Sequence, residues 1–142
     1  MLVSGIKDIE NRPRRTHFRG RILIHASAKA GDNSIQEALT KADPSSVLYE
    51  NQREFFDTFE KRRNLYEQCL IRSAIIGSVE IVYCVENHPS IWAVEGQYHY
   101  VIANPILFDT PITGVKGQLG LWNYDIQICE TCGQPFGPSC IE

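Results

Sequence analysis

No apolar run in the 142 residues approaches the roughly 18 that would cross a bilayer. Nor does a basic stretch followed by an apolar one open the chain as a secretory signal would. These two absences exclude a helical membrane span and predict a soluble, cytoplasmic protein. Charge and hydrophobicity are also unexceptional, at 22% and 43% of residues, which excludes both a disordered and a collagen-like chain. Cysteine is odd in number: five residues, Cys69, Cys84, Cys129, Cys132 and Cys140. An odd count without a signal segment predicts reduced thiols rather than a disulfide framework. Cys69 and Cys84 stand among apolar neighbours and read as core residues. The length itself is that of one ordinary domain with a single core.

What is present is a strong asymmetry of charge. Lys7, Arg12, Arg14, Arg15, Arg19, Arg21 and Lys29 face only Asp8 and Glu10 in the first 29 residues, a local net of +5 in a chain whose total is −3. Phosphate groups respond to such a local field even when the whole protein is acidic. Within this region Leu2, Val3, Ile6 and Ile9 recur at helical spacing, which predicts a short opening helix with Lys7 and Glu10 emerging together, three residues apart. Pro13 would end it. Alternation then predicts a strand over residues 21–27, with Ile22, Ile24 and Ala26 on one face and Leu23, His25 and Ser27 on the other.

Farther along, Ser34 and Glu37 form a capping box for a helix to about Lys41. Asp43 to Ser46 breaks it, and Leu48, Phe55, Phe59, Tyr66 and Cys69 form the apolar stripe of a longer helix. The chain from about residue 30 to 69 therefore reads as a helical insertion between two strands. A β-branched run over residues 71–85 predicts a long strand bent at Gly77. His88 to Trp92 predicts a short capped turn or helix, and residues 97–103 a further strand that Asn104 and Pro105 would end. Pro111, Ile112 and residues 117–124 supply short closing strands, with glycines at sharp bends.

Two blocks of residues carry a family resemblance. Gly5-x-Lys7-x-x-Glu10-x-Arg12, then Arg19-Gly20 and Ile24-His25-Ala26-Ser27, resembles the opening of an ASCH domain, a branch of the PUA-like β-barrels. Gly96 to Pro105, Pro111-Ile112 and Gly117 to Trp122 resemble its closing strands. The resemblance implies an α+β fold: a small PUA-like β-barrel over residues 1–125, with an opening helix and a helical insertion between its first two main strands. Residues 126–142 form a cysteine-containing tail. Family members usually carry a further strand and a Pro-Trp pair ahead of the opening helix. This chain starts inside that helix, which predicts either a longer natural N-terminus or an edge covered by a second copy, a homodimer.

The same resemblance implies RNA or another single-stranded nucleic acid, or a modified nucleoside, as partner. Lys7, Arg12, Arg14, Arg15 and Arg19 would hold phosphates, while Glu10, Asn11, His25 and Ser27 would meet a base edge. Tyr98, Trp92 or Trp122 could stack on a base. Some relatives are hydrolases, acting on acylated cytidine or on RNA. In that alternative Lys7, Glu10 and His25 would be catalytic, although the acylcytidine pattern has threonine where this chain has Glu10. No organic cofactor is implied. In the tail, Cys129-x-x-Cys132 with Cys140 has the spacing from which zinc takes two thiolates in one tight turn and a third from nearby.

Overall fold

A computed structural model describes residues 2–5, 7–28 and 70–136. Over these residues the α+β barrel expectation is corrected. The fold is all-β: one antiparallel sheet of β1 (Ile9–Arg12), β2 (Gly20–Ala26), β3 (Ala74–Val85) and β4 (Tyr98–Ile112), in the order β1-β4-β3-β2. The outer strands β1 and β2 do not pair with each other, so the sheet stays open instead of closing as a barrel. Among the described residues there is no helix, and hence none long and apolar enough to cross a membrane. The expected helices at 34–41 and 47–69 lie outside the described residues.

The opening helix is replaced by a turn and a strand. Gly5 N donates to Leu2 O at 3.1 Å, closing a turn over residues 2–5. The chain then extends, and Ile9 pairs with Val101, Glu10 with Tyr100, Asn11 with His99 and Arg12 with Tyr98. The spacing of Leu2, Val3 and Ile9 suits this arrangement as well as a helix. Val3 joins one apolar cluster, while Ile9 is wholly buried in a strand. Pro13 ends an edge strand for the same reason that it would end a helix: it has no N–H to contribute.

The long central strands bend because their register slips. Between Ala103↔Glu80 and Ile106↔Ser78, β4 carries the extra residue pair Asn104 and Pro105 opposite Val79 alone. Asn104 adopts φ 48°, a left-handed conformation that asparagine tolerates, and Pro105 needs no ladder partner at a bulge. The expectation that these two residues end the strand is thereby corrected: β4 runs on to Ile112. The closing strand expected at 117–124 is absent too, and that segment is irregular. β3 shifts register between Ile75 and Gly77, the bend its glycine predicts.

Apolar side chains collect in two clusters. Val79, Ile81, Cys84, Tyr100 and Ile102 pack with Val3, and Ile22 and Ile24 of β2 lean on them. Ile75, Phe108 and Val115 form the second, with Leu23, Ile106, Ile112, Trp122 and Ile128 against it. Gly77 sits where there is no room for a side chain. A Cβ there would fall on the carbonyl oxygen of Ile106 and against Val3. Because the first neighbour is backbone, Gly77→Ala has to move a strand, and we expect it to cost about 1–3 kcal/mol. Urea unfolding measures this; an unchanged midpoint would refute the tight β3–β4 approach.

Candidate functional site

Strand alternation decides which side chains share a surface. Ile9 and Asn11 project to one side of β1, and Glu10 and Arg12 to the other, alongside their partners Tyr100 and Tyr98. The two sides have different fates. The first is covered by residues 88–94, the second opens on a cleft.

The covering segment is tied down by polar contacts that use up several side chains. Asn11 Nδ2 donates to Trp92 O and its Oδ1 accepts from Val94 N, both at 2.9 Å. Ser90 Oγ donates to Asp8 Oδ1 at 2.6 Å and accepts from Trp92 N at 3.2 Å. Buried His99 accepts from His88 N on Nδ1 at 3.1 Å, so its proton is on Nε2, which donates to Val94 O at 2.7 Å. Asn11 is thus bonded to backbone on both ends of its amide, and Trp92 is buried at 3% exposure.

On the opposite side lies a broad, open cleft of about 1320 Å³. Its floor is apolar, from Ile22 and Ile24 of β2 and Tyr100 and Ile102 of β4. Glu10 and Arg12 form one border, His25 and Ser27 another, and residues 114–124 a third. Glu10 is the single carboxylate among the described residues that line it, against Arg12, Arg21 and Lys116. Glu10 and Arg12 are joined at 3.0 Å, an ion pair exposed enough to contribute only about 0–1 kcal/mol. Such a weak pair can be exchanged for a ligand at little cost. Phe18, Trp122 and Tyr124 add aromatic surface, and the rings of Trp122 and Tyr124 meet edge to face at 6.1 Å.

His25 anchors the third border. Its Nε2 lies 2.7 Å from Val115 O, and Trp122 meets its ring edge-on at 5.8 Å. Gly117 passes so close that a Cβ would strike the imidazole. His25 therefore acts as a post around which residues 115–122 fold.

Of the residues singled out from the sequence, the cleft brings together Glu10, Arg12, His25 and Ser27. Lys7, Asn11, Arg14, Arg15 and Arg19 are not among its lining. Arg19 Nη1 donates to Thr16 O at 3.1 Å and to Phe18 O at 2.8 Å, bracing its own loop. Arg15 lies over the Tyr98 ring at 5.0 Å and reaches Glu86 at 3.7 Å. Arg14 contributes its backbone oxygen to the Tyr100 hydroxyl at 2.7 Å. Sequence reasoning missed Arg21, Lys116 and Tyr124. Arg21 belongs to the basic stretch already visible, whereas Lys116 and Tyr124 carry no periodic signal because their segment is irregular.

The sequence matches no protein-family model, and no curated protein is significantly similar to it. Among the described residues no three His, Cys, Asp or Glu side chains gather as a metal centre.

Burial raises the Tyr100 phenol above its usual 10.0, reinforced by Cys84 and Glu10 and opposed by Arg12. The folded state thus holds this proton more tightly than the unfolded chain. Its contribution to stability is complete below about pH 10 and is lost as pH rises through the folded value. In an alkaline titration followed by phenolate absorbance, one of the six tyrosines should ionise late. Tyr100→Phe should remove that late component; its persistence would show that another tyrosine is the shielded one.

Proposed function

We propose that this chain binds single-stranded RNA, with a base lodged in the cleft and neighbouring phosphates on its cationic border. The observation that carries the reading is the combination in one cleft of an apolar, aromatic-edged floor with three cations and a single carboxylate. A base needs a flat apolar surface to stack on and a few polar groups at its edge, and the backbone needs positive charge nearby. Arg12, Arg21 and Lys116 suit phosphate; Glu10, Ser27 and Gln118 offer acceptors and donors to a base. The resemblance of the motif residues Gly5, Lys7, Glu10 and Arg12 to ASCH domains points the same way.

Binding is preferred to hydrolysis on two grounds. Lys7, the lysine that a family hydrolase would use, is not among the residues bordering the cleft. His25 is held by a backbone carbonyl through Nε2, in the role of a structural post.

Fluorescence anisotropy with a labelled single-stranded RNA tests the proposal. Affinity should fall steeply with salt. Lys116→Gln should weaken binding and flatten the salt dependence by about 0.7 in log–log slope for each phosphate that the lysine neutralises. Tyr124→Ala should weaken it further if its ring stacks, by about 1–3 kcal/mol. Salt-independent binding, or full affinity in both variants, would overturn the assignment.

A further inference from the structure

The one carboxylate among the described residues of the cleft border stands where charge alone would not put it. Glu10 shares that border with Arg12, Arg21 and Lys116, and a negative group there repels the phosphates that the three cations would attract. Its ion pair with Arg12 is too exposed for stability to account for it. The side chain of Glu10 is nevertheless 27% exposed against 49% for that of Arg12, so the carboxylate is the more sheltered member of the pair. The β1–β4 register sets it opposite Tyr100, beside the apolar floor on which a base would lie.

An ionised carboxylate only accepts hydrogen bonds, and its two oxygens have about four sites for doing so. Arg12 occupies one of these, on Oε1, and the remainder can serve a ligand. Guanine is the one RNA base with two neighbouring donors on a single edge, N1–H and the N2 amino group, so it can engage both oxygens at once. Adenine and cytosine each offer one amino group, beside a ring nitrogen whose lone pair repels the second oxygen. Uracil has a single N–H between two carbonyls. Next to the two donors of guanine comes its O6 acceptor, and next to Glu10 comes the Arg12 guanidinium at 3.0 Å. Acceptor followed by donor on β1 thus complements donors followed by acceptor on guanine.

Resting on the RNA reading above, we propose that the base lodged in the cleft is guanine, read by Glu10 through N1–H and N2–H and by Arg12 through O6. Hydrogen bonds to an ionised acceptor are roughly twice as strong as neutral ones, and a pair of them also fixes orientation. Lys116 and Arg21 would then hold the strand, while Glu10 determines which base is accepted.

Fluorescence anisotropy with labelled oligouridine, plain or carrying one central G, A, C or inosine, tests this. The guanine RNA should bind tightest, by about 5- to 150-fold over the A, C and plain strands. Inosine, which lacks the N2 amino group, should bind about tenfold more weakly than guanine. Glu10→Gln, nearly isosteric, should bring the guanine RNA to the level of the others, with the circular dichroism of the sheet preserved. Equal affinity for all the strands, inosine bound as tightly as guanine, or a guanine preference that survives in Glu10→Gln would overturn the guanine assignment and leave RNA binding standing. Loss of plain oligouridine together with guanine RNA in Glu10→Gln would overturn the assignment too, because it would make Glu10 a general support. Binding of none of the strands by the unaltered chain would overturn the RNA reading itself, and this assignment with it.

Discussion

The pairing of β1 with β4 is the contact on which the remaining architecture depends. It covers four residues, yet it seats Ile9 beneath the 88–94 segment and, by alternation alone, turns Glu10 and Arg12 to the opposite side. A slip of one residue would exchange these sets, burying a carboxylate and a guanidinium while exposing Ile9. The hydrophobic demand of one isoleucine thus orients two charged groups. Asn11 secures the same register from the far side, since its amide reaches both Trp92 and Val94 only when it projects toward them.

The basic character of the first 29 residues is divided between structure and surface. Arg19 braces a loop, Arg21 bonds Ser78 and Glu80 across to β3, and Arg15 covers Tyr98. Glu80 and Glu86 offset the charges of Arg21 and Arg15, so part of the positive field of this stretch is taken up within the structure. Among the described residues, the irregular segment beside the cleft carries Leu119, fully exposed, and Leu121, more than half so.

Much of the sheet was legible because its strands alternate or carry β-branched runs: β2, β3 and the first half of β4 fall where the pattern puts them. The bend at Gly77 was legible from its lack of a Cβ, whereas at His88 to Trp92 the sequence left a capped turn and a short helix both open, and the turn formed with Ser90 Oγ accepting from Trp92 N. The opening segment was not, since a few apolar residues over eight positions satisfy a helical period and a turn followed by a strand equally well. Asn104 and Pro105 read as a stop, yet a bulge absorbs both the left-handed residue and the missing N–H. Within the site, Glu10, Arg12, His25 and Ser27 came from a motif; Lys116 comes from tertiary folding around His25, which no local pattern encodes.

Ligand recognition as proposed requires that the face of the sheet carrying Glu10, Arg12 and Tyr100 be the surface that RNA meets. Backbone and side-chain NMR shifts recorded while a short single-stranded RNA is added to the labelled protein address this most directly. Perturbations should gather at Glu10, Arg12, His25, Tyr100 and residues 114–124, with the signals of Asn11, Ser90 and His99 nearly still. Perturbations centred on residues 88–94, or none at saturating RNA, would contradict it.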